Sequence, residues 1–365
     1  MKVTVDTSSF MKLLATIGKV LPNRSPSVAN QCVRLTGEKS TLRGYGSSGD
    51  ACVAATIPAD VATPGECIVK CADVLGIVQT ISGKATATIT LDAASEVLTI
   101  KADTSRFKLY TLALDILPMP IIEDDAKTAE YDVGYGELSS DLAAVEFASG
   151  SEDSRYVISG VAMFLGEDGG TAATDGRRLA VKGKISKAVT LLASPTVRFI
   201  LGLKLEKDST VRVTVGRQGV KFVTDAVTYY GNAIEGTFPP IDGIIPDKSD
   251  REYTFAREGL LSALKQSEVL TGEESRGVVM KFIGKSLTLT SRSAEIGESC
   301  IDTEATAATD ATEFVASFNP VYLIECLNAL DSETVTLGFT QHNRPLKLTN
   351  GGTFRYVVMP LALPQ

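Results

Sequence analysis

His342 is the only histidine in the chain. That removes the commonest general bases and metal ligands in one step, because a Ser-His-Asp or Cys-His site would have to be built on His342 itself. It lies in Gln341-His342-Asn343-Arg344-Pro345, which reads as a polar turn. The cysteines stand at 32, 52, 67, 71, 300 and 326, mostly inside apolar patterns. Only Cys67 and Cys71 are close in sequence, and no second pair or nearby histidine completes a zinc site. Reduced thiols packed as small hydrophobes are the expectation. Carboxylate or lysine chemistry stays open, with Asp175 and the loop holding Asp242 as candidates.

Asp175 belongs to Thr174-Asp175-Gly176-Arg177-Arg178-Leu179-Ala180. An apolar approach, Val161-Ala162-Met163-Phe164-Leu165, leads toward it, and Leu179-Ala180-Val181 leads away. Asp-Gly between apolar runs signals a tight hairpin, because glycine accepts positive φ without a Cβ clash. The simplest local reading is a plain hairpin with two solvated arginines.

These residues need a frame. A chain of 365 residues holds two or three domains. An apolar fraction of 44% with 22% charged residues is a soluble globular balance. No uncharged apolar run reaches the length of a membrane span, and Met1-Lys2-Val3-Thr4-Val5-Asp6 alternates like a strand instead of resembling a signal peptide, so a cytoplasmic protein is expected. The net charge of −8 argues against a general nucleic-acid binder unless the basic residues gather on one surface.

Apolar periodicity places helices over 9–21, 71–81, 137–147, 195–203 and 258–270, with Thr7 or Ser8 as the cap of the first. Asn319-Pro320 opens a sixth, as N-cap and first-turn proline. Alternating strands are expected over 31–35, 40–45, 51–57, 86–91, 97–101, 107–112, 210–215, 220–224, 334–339 and 353–359. The Pro-bearing acidic segment 118–127 reads as a linker, and the Pro/Gly stretch 236–246 closes the next unit. Phe10, Leu138 and Leu260 occupy equivalent helix positions, and Ile89, Val211 and Val335 equivalent strand positions, a repeat of roughly 120 residues. The expected fold is α+β: three tandem similar domains, 1–126, 127–249 and 250–365, each with two helices packed on antiparallel sheets. Lys12, Lys19, Arg198, Lys204, Arg257 and Lys265 remain on the helices, and ordinary solvated faces are the simpler reading of them.

Several stretches, in order, resemble one family. They are Arg155-Tyr156 with Ser159-Gly160; Ala173 through Ala180; Gly236-Thr237-Phe238-Pro239 with Ile245-Pro246; Arg276-Gly277-Val278; Phe318-Asn319-Pro320-Val321-Tyr322-Leu323 with Leu327-Asn328-Ala329-Leu330; and Tyr356-Val357-Val358-Met359-Pro360. The chain resembles the bacterial sliding clamps, the beta subunits of DNA polymerase III, most weakly in its first domain. The resemblance implies the DNA clamp fold, a homodimeric ring of six domains around double-stranded DNA, and no catalysis or cofactor. It implies sequence-independent phosphate contacts from Arg24, Arg155, Tyr156 and Arg198. It implies ring closure through Phe107 and Leu109 of one copy and Val269 and Leu270 of the other. It implies a peptide groove made of Ile158, Thr174, Gly176, Arg178, Leu179, Pro239, Ile244, Asn319, Tyr322, Val357, Val358, Met359, Pro360 and Leu361. The DNA polymerase III catalytic subunit, the clamp loader and other replication and repair proteins would insert a Gln- and Leu/Phe-bearing peptide there.

The chain departs from the family pattern at Gly243, where arginine is frequent, at Ser275, where a bulky residue is common, and at Ala362 in an extended tail. Two other readings follow: a clamp-like paralogue or mobile-element clamp with restricted partners, and an enzyme of repeated α+β architecture using Asp175 or the Asp242 loop.

Overall fold

Among the described residues, each α-helix follows a strand with at most one residue between them. The computed structural model describes residues 1–92, 94–117, 129–150, 159–165, 169–186, 189–241, 243–271, 277–293 and 296–363. Among these lie six α-helices: α1 (Thr7–Gly18), α2 (Cys71–Thr80), α3 (Tyr135–Glu146), α4 (Ser194–Leu201), α5 (Arg257–Glu268) and α6 (Pro320–Ala329). The strands Lys2–Asp6, Gly65–Lys70, Ala129–Gly134, Val189–Ala193 and Arg251–Ala256 run into the first five without an intervening residue, and Phe314–Phe318 reaches α6 through Asn319 alone. The junctions explain the caps. Asp6, not Thr7 or Ser8, caps α1: its Oδ1 accepts from the Ser9 N–H at 2.7 Å, while Thr7 is already buried in the helix. Asn319 accepts from the Val321 N–H at 3.0 Å ahead of Pro320, as its sequence requires.

All strand pairs among the described residues are antiparallel, in four sheets. With the helices, this is the α+β architecture that the repeat implied. The chain divides into two compact units, Met1–Glu137 with Arg198–Ala233, and Leu138–Val197 with Ile234–Gln365. The segment expected as the second domain thus contributes to both. The boundary expected at 118–127 lies outside the described residues.

The first unit holds a five-stranded and an eight-stranded sheet. The five-stranded sheet ends on Ser105–Tyr110, an edge strand whose outer side chains Arg106, Lys108 and Tyr110 are exposed. Phe10, Leu13, Leu14 and Ile17 of α1 are buried on the 3.6-residue stripe read from the sequence. Gly44 and Gly46 let α1 approach the strand Thr41–Ser47, since a Cβ on either would press on Ile17. Cys67 and Cys71 are buried here as free thiols, and burial pushes both up to about 12.

The second unit holds a four-stranded and a nine-stranded sheet. Its aromatic core stacks Tyr253 on Phe282 at 4.2 Å, with Phe339 5.2 Å and Phe314 6.2 Å from Phe282. A second apolar cluster joins Ala162, Phe164, Leu179, Val181, Phe238, Ile241 and Val357. Phe238 meets Phe164 edge-on at 6.3 Å, which anchors the Pro/Gly stretch against the nine-stranded sheet.

Candidate functional site

Strand polarity brings four segments of the second unit to one end of the nine-stranded sheet. The strand Arg178–Lys182 starts there, after the 175–177 turn, and pairs antiparallel with Phe354–Val358 in the register Arg178↔Val358. The chain therefore leaves its last strand at the same end. Leu346–Thr349 begins opposite Val358, and Thr334–Phe339 pairs antiparallel with it, so the 340–345 turn also lies there. Arg251 pairs with Phe339, which adds the segment that precedes residue 251.

Between these segments lies a cavity of about 570 Å³. The 174–179 hairpin supplies Thr174, Gly176, Arg178 and Leu179 to it, and the last strand supplies Val357 and Met359. Pro239, Ile241, Gly243, Ile244 and Pro246 form another wall, and Thr340, Arg344 and Pro345 complete the lining. The pleat sorts the last strand: Val357, cross-strand from Leu179, faces this side with Met359, whereas Val358 is fully buried. Met359 and Ile244 are 47% and 41% exposed, so the groove offers apolar surface to solvent.

The hairpin is held by its own short side chains. Asp175 Oδ1 accepts from the backbone N–H groups of Arg177 and Arg178, at 2.8 and 3.0 Å. The Thr174 hydroxyl donates to Arg178 O at 2.6 Å and accepts from Gly176 N–H at 3.1 Å. Gly176 turns at φ 86°, which an L side chain resists. Asp175, a candidate for carboxylate chemistry, is here a turn builder.

Arg178 is not the solvated cation of a plain hairpin; it is 9% exposed. Its Nε donates to Asp175 Oδ2 at 3.0 Å, its Nη2 to Phe147 O at 2.7 Å, and its Nη1 to Glu325 of α6. The guanidinium lies over Tyr322 at 4.5 Å and near Phe147 at 5.6 Å. Burial opposes its charge, but the Glu325 hydrogen bond and the charges around it outweigh burial and raise its pKa. Tyr356 closes the network by donating to Tyr322 O at 2.9 Å. Burial pushes its phenol well above the ordinary tyrosine value.

The other expected groove residues take different places. Asn319 caps α6, Tyr322 lies beneath Arg178, and Leu361 donates its N–H to Ser317 O at 2.8 Å. Pro360 lies between Met359 and Leu361, half-buried, and is not part of the cavity lining. Ile158 and Ser275 lie outside the described residues. The lining residues not among those expected for the groove are Ile241, Pro246, Thr340, Arg344 and Pro345, with Gly243, which the sequence marks as a departure from the family pattern. Their signal was the pair of short turns that end neighbouring strands.

Among the residues expected to meet DNA, Arg24 and Arg198 are exposed in the first unit, and Arg155 and Tyr156 lie outside the described residues. Lys19 donates to Gly202 O, and burial, then the charge of Lys204, lowers its pKa. Of the residues expected at the dimer contact, Phe107 and Leu109 are half-buried on the edge strand, Val269 is 71% exposed and Leu270 half-buried. Among the described residues there is no cluster of His, Cys, Asp and Glu able to hold a metal, and no helix is long and apolar enough to cross a membrane.

Known proteins share this fold. Family models for the N-terminal and C-terminal domains of the DNA polymerase III beta subunit match residues 1–120 and 242–362. A beta sliding clamp of Pseudomonas aeruginosa is 23% identical over 376 aligned residues, covering 100% of both chains. One of Chlamydia pneumoniae is 26% identical over 280, covering 74% of this chain and 75% of its own. The crystal structure of the DNA polymerase III subunit beta from Pseudomonas aeruginosa superimposes with a TM-score of 0.91 at 22% identity, covering 100% of both chains. With matches at both ends and the fold along its whole length, this chain belongs to the bacterial sliding clamps, the beta subunits of DNA polymerase III.

Proposed function

We propose that two copies of this chain close head-to-tail into a ring around duplex DNA and hold the replicative polymerase there through the groove at the end of the nine-stranded sheet. The observation that carries the peptide site is the exposed apolar pair Met359 and Ile244 beside buried Leu179 and Val357, next to a hairpin braced by Arg178. A bound partner stays at high effective concentration on its template, so the gain is processivity and needs no catalysis or cofactor. Each copy is three domains, 1–126, 127–249 and 250–365. Partners are the DNA polymerase III catalytic subunit, the clamp loader and other replication and repair proteins bearing a Gln and Leu/Phe peptide.

The groove is tested by calorimetry with such a peptide. Met359→Asp places a charge where an apolar anchor would seat and should weaken binding at least about 30-fold, with thermal stability kept because Met359 is half exposed. Unchanged affinity would place the site elsewhere.

The ring is tested on DNA. Arg24 and Arg198 present cations from an otherwise acidic chain. Clamp assembled on a nicked circle should be retained, and cutting the circle should release it. Contacts to phosphates should weaken with salt and ignore sequence. Retention on linear DNA at high salt, or preference for one sequence, would contradict encirclement.

Gly243 and Ala362 favour a second reading within the same family, a paralogous clamp with a restricted partner set. A peptide panel in which only one partner class binds would support it.

A further inference from the structure

One backbone hook recurs three times along the chain. The Leu112 N–H donates to Ile68 O at 2.8 Å, the Ile234 N–H to Leu191 O at 3.0 Å, and the Leu361 N–H to Ser317 O at 2.8 Å. Each acceptor lies in a strand that feeds a helix: Gly65–Lys70 before α2, Val189–Ala193 before α4, and Phe314–Phe318 before α6. After the first two hooks the chain is anchored again, by Leu117, whose carbonyl accepts from Arg34 Nη1 at 2.9 Å, and by Phe238 and Ile241 in their apolar cluster. After the third, Ala362 and Leu363 are exposed. Leu361 seats over Gly277, where a Cβ would come within 3.0 Å of Leu361 Cδ1 and of Ser317 Oγ. The groove begins two residues earlier. There the Met359 N–H donates to Arg177 O at 2.9 Å. Pro360, between the two bonds, has a fixed φ and confines Met359 to extended backbone.

We infer that Leu361 and Gly277 are positioning residues of the groove: neither lines the cavity, and together they hold Met359 at its mouth. The inference rests on the groove reading above and deepens it. Met359 is tied to the 175–177 turn on one side and, through a stiff proline, to the strand ahead of α6 on the other. Released from Ser317, it keeps only the first bond, and a peptide that uses it as an apolar wall must then order it at a cost in entropy. Gly277 keeps the seat open. Its φ lies outside the left-handed region, so its backbone does not require glycine, but the space under Leu361 does. A larger side chain there fills the seat and lifts the hook. This gives Gly277, in the stretch Arg276-Gly277-Val278, a role away from the peptide itself.

The test uses full-length protein and a synthetic peptide with a Gln and Leu/Phe core, with affinity read by calorimetry. Leu361→Ala should weaken binding about threefold to tenfold, as for loss of a half-covered leucine contact, whereas Leu363→Ala should stay within about twofold. Gly277→Val should weaken binding to a similar extent while the cooperative melt is kept. Gly277→Val combined with Leu361→Ala should bind no worse than Leu361→Ala alone, because the smaller residue clears the seat. Hydrogen exchange separates positioning from folding: peptide should slow exchange of the Leu361 N–H, and Gly277→Val should speed it in the free protein. If Gly277→Val does not fold, the contrast between Leu361→Ala and Leu363→Ala and the Leu361 exchange decide. Losses from Gly277→Val and Leu361→Ala that simply add, equal losses from the two leucines, or a Leu361 N–H indifferent to peptide overturn the inference while groove binding stands. Peptide binding indifferent to Met359→Asp overturns the groove reading, and this inference with it.

Discussion

Arg178→Ala is expected to cost the second unit about 3 kcal/mol of stability and to weaken peptide binding in the groove at least tenfold. The guanidinium makes three hydrogen bonds, two to carboxylates, from a side chain 8% exposed. Charge-assisted bonds of this kind are the strong ones, and removing a buried partner leaves the others unpaired. The cost stays at the low end for broken buried pairs because Asp175 and Glu325 keep 18% and 42% side-chain exposure and regain water. The groove suffers because the same network carries Tyr322, under the guanidinium, and ties the 175–177 turn to α6. Arg178→Lys keeps the charge but loses the fork, and should recover less than half of the loss. Urea denaturation followed by near-ultraviolet signal measures both variants; a loss under about 1 kcal/mol for alanine would show the network to be incidental.

The network also marks where sequence reading stops. Thr174-Asp175-Gly176 is legible as a turn from its residues alone, because Gly176 and the short oxygen-bearing side chains act within five positions. Arg178 is not, because its partners Phe147 and Glu325 lie 31 and 147 residues away. Nothing local separates a solvated arginine from one that joins two elements. Arg344 shows the same limit with the opposite outcome: its turn reads as polar, and only the antiparallel order of the strands 334–339, 346–349 and 354–358 puts it at the groove.

The helices were legible because each buries one stripe. The expected 71–81 and 137–147 differ from Cys71–Thr80 and Tyr135–Glu146 only at their ends, and Asn319-Pro320 fixes the start of α6. The strands that feed the helices were harder. Gly65–Lys70, Val189–Ala193, Arg251–Ala256 and Phe314–Phe318 run into their helices with at most one residue between, so no turn residue marks the change of period. The cap of α1 moved to Asp6 for the same reason. The strands Ser286–Ser293 and Gly297–Glu304 alternate but carry polar and small residues on their outer sides, which weakens the apolar signal.

Leu270→Glu should convert the dimer we propose into folded monomer. Val269 and Leu270 follow α5, whose last turn is tied to the four-stranded sheet: Ser291 donates to Ser267 O at 2.6 Å and lies 2.6 Å from the Ser299 hydroxyl. That chain of oxygens ties the last turn of α5 to the strand Gly297–Glu304, an edge of its sheet. An edge strand exposes unpaired backbone groups and must be covered or charged. This one turns Glu298, Asp302 and Glu304 outward, whereas the edge strand Ser105–Tyr110 of the first unit turns Arg106 and Lys108 outward. Opposite charges on two open edges of one chain favour head-to-tail pairing between copies and disfavour each edge meeting its own kind. In that pairing Val269 and Leu270 would cover Phe107 and Leu109. A glutamate at 270 brings an uncompensated carboxylate into this contact at a cost of several kcal/mol, and twofold symmetry places it at both interfaces. Each 1.4 kcal/mol is about tenfold, so dimer affinity should fall by several orders of magnitude. Leu270 is only half-buried within its own chain, so the monomer should keep its circular dichroism and cooperative melting. Sedimentation velocity decides: a monomer with native spectra supports the contact, and an unchanged dimer would mean that ring closure uses other residues.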